Sequence, residues 1–152
     1  MNLKDHFLIQ VKETTKINPL SKKRNRHVVE TRALLIHLYH KVLGMGCSNI
    51  KNYLMTKGFE THHATILHAL KNWDIYSKYN PQLMFWYRDI LMKSDIASDE
   101  IKLEYIKDKI QFLPHSELQN VCNTVQDHYD NHIQKMCLEQ ETRLIENQGT
   151  DN

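Results

Sequence analysis

A chain of 152 residues, 41% hydrophobic and 25% charged, suits one globular domain with an appendage and excludes disorder as the state of the whole. Four Gly and three Pro leave too little turn chemistry for an all-β fold, and no apolar run approaches the ~18 residues of a membrane span. The net charge of +2 hides a division: residues 1–93 carry 15 Lys and Arg against 6 Asp and Glu, whereas residues 94–152 carry 5 against 12.

That division predicts two parts, a basic 1–93 suited to a polyanion and an acidic 94–152 that a polyanion repels. The first residues lack the charged and apolar regions of a secretory signal, so an intracellular protein is expected. Cys47, Cys122 and Cys137 are odd in number and form no CxxC. They predict three reduced, mostly buried thiols rather than disulfides or a zinc site.

Leu3, Phe7, Leu8 and Val11 recur at helical spacing and predict a first helix from about Leu3 to Lys16, ended by Asn18-Pro19. A loop follows with four cations in five residues, Lys22-Lys23-Arg24-Asn25-Arg26. The second helix is predicted from His27 to Leu43, where Gly44 and Gly46 break it. Ser48 is the expected cap of a short third helix, Asn49 to Thr56. Lys57-Gly58-Phe59 then turns the chain.

Thr61 is the expected cap of a fourth helix, about His62 to Tyr76. Ile66, Ala69, Leu70 and Trp73 line its inner face, and Ala64, Thr65, His68, Lys71 and Asn72 its outer face. Asn80-Pro81 restarts the chain into a fifth helix, Gln82 to Lys93. Ser98 or Asp99 opens a sixth that ends near Phe112. After Pro114 a last helix reaches about Glu146. Its Leu118, Val121, Val125, Tyr129, His132 or Ile133, and Met136 step like a coiled-coil seam that folds back or pairs with another chain.

A short helix, a Gly-containing turn and a second helix with a polar N-terminal half is the layout of a helix-turn-helix DNA binder. Small polar residues approach base edges closely, Ala and Thr methyls suit the thymine methyl, and the helix N-terminus suits a phosphate. Arg on the preceding loop suits a narrow minor groove. Read alone, the same helix is also compatible with a solvated surface, and the loop with a basic turn or a targeting signal.

Taken together, Ser21, Lys22, Lys23, Arg24 and Arg26 in the loop and His63, Thr65, Ile66, His68 and Ala69 in the fourth helix carry a more specific likeness. Residues 8–76 resemble the C-terminal DNA-binding domain of DnaA, the bacterial chromosomal replication initiator, with its Trp-repressor-like helical fold. The family's motif has Arg-Asp where this chain has Thr61-His62, and Arg where it has Glu30.

The resemblance implies an all-α helical bundle with a helix-turn-helix, to which the periodicity after Ser94 adds further C-terminal helices. Arg24 would enter the minor groove and Arg32 would face phosphate or groove. His63 and Ala64 would read major-groove edges, and Thr65 and His68 would touch base edges or backbone. With Lys22, Lys23, Arg26, Thr61, His62 and Lys71 these complete the expected contact set for double-stranded DNA. No phosphate-binding GxxxxGK[ST] loop, catalytic constellation or metal pattern accompanies them, so no ATPase and no cofactor is expected.

Such a detached domain suits a phage or mobile element acting in a bacterial cytoplasm, as a replication accessory or regulator. A transcriptional regulator using the same contacts is the alternative. So is a helical interaction module that no longer binds DNA, which Glu30, His62 and the acidic half would suit. The C-terminal helices would support a homo-oligomer or bind a protein partner.

Overall fold

The computed structural model describes residues 1–149, and among these every regular element is helical. Helix α1 spans Leu3–Thr15. Asn2 Oδ1 accepts the Asp5 N–H at 2.8 Å, and Lys16 closes the helix in the left-handed region at φ 60°. Its apolar stripe, Phe7, Leu8 and Val11, is buried.

Helix α2, Arg26–His37, is capped by Asn25, which accepts the Val28 N–H at 3.0 Å. Ala33, Leu34, Leu35 and Ile36 are all buried, so α2 is enclosed on every side, as a central helix must be. The α-helical pairing predicted to Leu43 stops at His37. Leu38–Val42 winds as one π turn, which lets the adjacent Leu38 and Tyr39 both reach the core. Tyr39 is fully buried; its hydroxyl donates to the Lys4 carbonyl at 2.9 Å, and its ring meets Tyr53 edge-on at 5.5 Å. That contact ties α1 to α3, Cys47–Thr56.

Gly46, not Ser48, is the cap residue of α3, and it lacks a side chain to bond with. Gly58, at φ 82°, supplies the left-handed residue in the turn to α4, His63–Tyr79. Ile50 and Leu54 of α3 join Ile66 and Trp73 of α4 in one core, with Phe59 of the turn buried beside them. Helix α5 spans Gln82–Lys93, as predicted, and brings Leu83, Tyr87, Ile90 and Leu91 to the same core.

His37 marks how tightly α2, α4 and α5 meet. Its ring stacks on Trp73 at 4.3 Å and 12°, and tilts against Tyr87 at 5.3 Å. Burial, with Lys41 adding to it and Asp74 opposing, lowers its pKa to about 4. The unfolded chain takes up this proton near pH 6.5 and the folded chain only near 4. Stability is therefore expected to be full above 6.5 and to fall as pH drops through that window, by roughly tenfold in the folding constant per unit. Chemical denaturation at pH 7 and pH 5 measures the slope, and His37→Phe, which keeps a stacking ring, should flatten it.

Helix α6, Asp99–Ile110, belongs to the same body. Ile101 and Ala97 pack against the core, and Arg88 of α5 forks onto Asp108 with Nε–Oδ2 at 2.6 Å and Nη2–Oδ1 at 2.8 Å. The first compact unit accordingly runs from Met1 to Asp108, past the boundary expected at Lys93. The change of charge at 94 is a change of surface and not an edge of the fold. Counted to 108, the first unit holds 17 Lys and Arg against 11 Asp and Glu, and the remainder 3 against 7.

The second unit begins at Lys109 and contains α7, His115–Gln148, a helix of 34 residues that buries none of its side chains. All three cysteines are free. Cys122 and Cys137 on α7 are exposed and Cys47 is half-buried, which corrects the expectation of mostly buried thiols. The reason is that α7 supplies no core for its two cysteines to enter.

Candidate nucleic-acid interface

The basic loop is held by its own backbone and by one arginine. Asn18 Oδ1 accepts from Leu20 N–H and its carbonyl from Ser21 N–H, both at 3.1 Å, making a tight turn around the buried Pro19. Ser21 Oγ accepts from Lys23 N–H at 3.3 Å. Lys22, Lys23 and Arg24 then stand exposed.

Arg32 lies beneath them, and the structure gives it a different place from the outward one expected. The residue is only 9% exposed. Its Nε donates to the Pro19 carbonyl at 2.9 Å and its Nη2 to the Ser21 carbonyl. Its guanidinium lies 4.7 Å from the centre of the Phe59 ring. Burial lowers its pKa, and the two carbonyls and the ring face offset the cost of desolvating the charge. One side chain of α2 thus joins the loop to the α3–α4 turn.

At the other side of the turn α4 begins without a side-chain cap. His62 occupies the cap position and makes no capping bond. Thr61, expected to cap, is buried, and its Oγ1 has no hydrogen-bond partner. The Thr65 N–H reaches the His62 carbonyl at 3.0 Å, and no side chain caps the positive end of α4.

These pieces form an open cleft of about 780 Å³. Lys22 and Arg24 line it from the loop and Val29 and Arg32 from α2. Phe59, Glu60, Thr61 and His62 come from the turn, and Ala64, Thr65, His68, Ala69 and Tyr76 from α4. Asn72 fixes His68: its Nδ2 donates to the His68 carbonyl and lies 2.8 Å from Nδ1, so Nδ1 accepts and the ring turns Nε2–H outward as a donor.

Eight of the twelve expected contact residues meet here. Lys23, Arg26, His63 and Lys71 are exposed but do not line the cleft. Arg26 is the first residue of α2, and its Nε pairs with Glu30 at 2.7 Å, which holds its pKa up. Glu30, also bonded by Asn80 Nδ2 at 2.8 Å, is 3% exposed. It ties the start of α2 to the end of α4 and places no carboxylate on the surface.

The expected contact set left out Val29, Phe59, Glu60, Ala69 and Tyr76. Periodicity identifies which way a helix faces but says nothing about turn residues. The cleft combines two exposed cations, a ring N–H, small side chains and a helix start without a side-chain cap, a set that suits an extended anion with acceptor edges. No protein-family model, curated protein or solved structure matches this chain.

Proposed function

We propose that the chain binds duplex DNA, with α3 and α4 acting as a helix-turn-helix and the basic loop as a second grip. The observation that carries this reading is that Lys22 and Arg24 line the same open cleft as His62, Ala64, Thr65 and His68. Residues some forty positions apart in the chain share one surface, in the order that the resemblance to the initiator's DNA-binding domain implies.

In this reading α4 enters the major groove with Ala64 and Thr65 against thymine methyls, and His68 Nε2–H donating to a purine acceptor. Arg24 reaches the adjacent minor groove, and Lys22 and the start of α4 take phosphates. The partner is double-stranded DNA, the mode is sequence-specific, and the setting is replication or its regulation in a phage or mobile element. A transcriptional role uses the same contacts, and the location of bound sites, at an origin or at promoters, separates the two.

Binding of the full chain to labelled duplexes over a series of salt concentrations tests the proposal. Log affinity should fall with log salt by a slope of at least about −2, since each phosphate contact contributes about −0.9. A flat dependence, or no retardation at low salt, rejects DNA as the ligand.

Glu60 supplies a finer check. It is the carboxylate among the cleft-lining residues and it is exposed. Glu60→Gln should tighten binding a few-fold at low salt by removing like-charge repulsion, with the gain fading at high salt.

A further inference from the structure

Helix α7 leaves a row of large apolar side chains in water. Val125 is 62% exposed, Tyr129 60%, Ile133 39% and Met136 44%. With Leu118, Val121, Cys122 and His132 they form one stripe, because the 18-residue step from 118 to 136 is five full turns.

The stripe is symmetric about position 127. Leu118 and Met136 lie equally far from it in the chain, as do Val121 and Ile133, Cys122 and His132, and Val125 and Tyr129. Asp127 itself falls on the opposite side of the helix, half a turn from the stripe at 100° per residue. A stripe with this inversion fits its own reversed copy, layer on layer. An isologous two-fold contact uses that self-complementarity, since each apolar position of one copy then meets an apolar or half-polar position of the other.

The charges choose the same arrangement. Glu117 and Lys135 are also five turns apart and flank the stripe on one side. Reversed pairing sets Glu117 of one copy beside Lys135 of the other. Parallel pairing would put the two Glu117 on opposite flanks of the seam, and likewise the two Lys135, so Glu117 would not meet Lys135.

We infer that α7 is a homodimerisation helix, pairing antiparallel with α7 of a second copy about a two-fold axis at the level of Asp127. Val125 of each copy packs on Tyr129 of the other beside the axis, and Leu118 packs on Met136 at the ends.

Sedimentation equilibrium of the full chain, from about 1 to 100 µM, should give a dimer at the upper end. Val125→Glu with Tyr129→Glu should give a monomer with an unchanged thermal melt of the first unit. Glu117→Lys should weaken the dimer at least several-fold, and adding Lys135→Glu should restore it. In a background with Cys47 and Cys137 changed to Ser, His132→Cys should yield, on mild oxidation, a bond between the introduced thiol and Cys122 of the other copy. A wild-type chain that stays monomeric throughout would overturn the inference. So would a dimer indifferent to the paired glutamates, or dominant Cys122–Cys122 coupling in the same background before His132 is changed.

Discussion

Arg32→Ala should cost about 3 kcal/mol of stability and at the same time abolish most of the DNA affinity. The stability part follows from the two bonds to the Pro19 and Ser21 carbonyls and the stacking on Phe59. Hydrogen bonds from a charged donor contribute about 1.5–3 kcal/mol each, and a shielded cation on a ring about 0.5–2, with losses that overlap. The affinity part follows from the loop: without its anchor, Lys22 and Arg24 lose their fixed position over α4.

Arg32→Lys separates this account from a direct phosphate contact. A phosphate accepts an ammonium nearly as well as a guanidinium, so a contact residue would tolerate Lys. A residue that must bond two carbonyls while standing over a ring would not. Urea denaturation and a gel shift on each variant measure the two parts. Affinity retained in the Lys variant would mean that the buried guanidinium does not position the loop.

The second large effect separates contact from scaffold in the opposite direction. Lys22→Ala with Arg24→Ala should leave the melting transition within about 0.5 kcal/mol of wild type, because both side chains are exposed. Affinity for every duplex should fall at least tenfold at moderate salt, and the salt slope should become shallower by at least about 0.9, the phosphate contact of Lys22. Lys23→Ala, one residue away but outside the cleft, should change the slope far less. Equal effects from Lys23 and Arg24 would mean that the loop acts only as diffuse charge.

The departures from the initiator motif look different once the side chains are placed. Glu30 stands where the motif has Arg, and on the sequence it counts against an anion partner. In the fold its carboxylate is buried between Arg26 and Asn80, so it shapes the end of α4 rather than repelling a ligand. Thr61 stands where the motif has another Arg. It too is buried, and the cleft is correspondingly less basic at the turn than the motif implies. Base recognition here would fall to the small side chains Ala64 and Thr65 and to the His68 ring, which favours A·T-rich major-groove edges carrying thymine methyls.

Much of the architecture was legible without coordinates. The helix class, the order of the elements, the inner faces of α1 and α4, and the termini of α5 are local properties, written in the period of apolar residues and in Pro and Gly. Periodicity also picked out the apolar stripe of α7, most of whose residues stand exposed. Three features were not legible locally. The α2 segment reads as one helix to Leu43, yet its end winds as a π turn that buries both Leu38 and Tyr39, with Tyr39 held by Lys4 of α1 and Tyr53 of α3. Thr61 and Ser48 have the chemistry of caps, yet neither is the cap residue: burial claimed Thr61, and α3 begins before Ser48. The acidic stretch after Ser94 reads as a separate part, yet Arg88 holds Asp108 and keeps α6 on the first unit.

What the sequence by itself determined is which residues are helical, which faces are apolar and where cations and small polar side chains concentrate, since each depends on neighbours within a few positions. Only the tertiary structure decided which of those residues share a surface and which charges are spent inside. Arg24 and Arg32 are the same residue type eight positions apart, and one points into solvent while the other is bound to two carbonyls and a ring. The difference lies in Pro19, Ser21 and Phe59, groups that chain closure brings to Arg32 and that no local pattern announces.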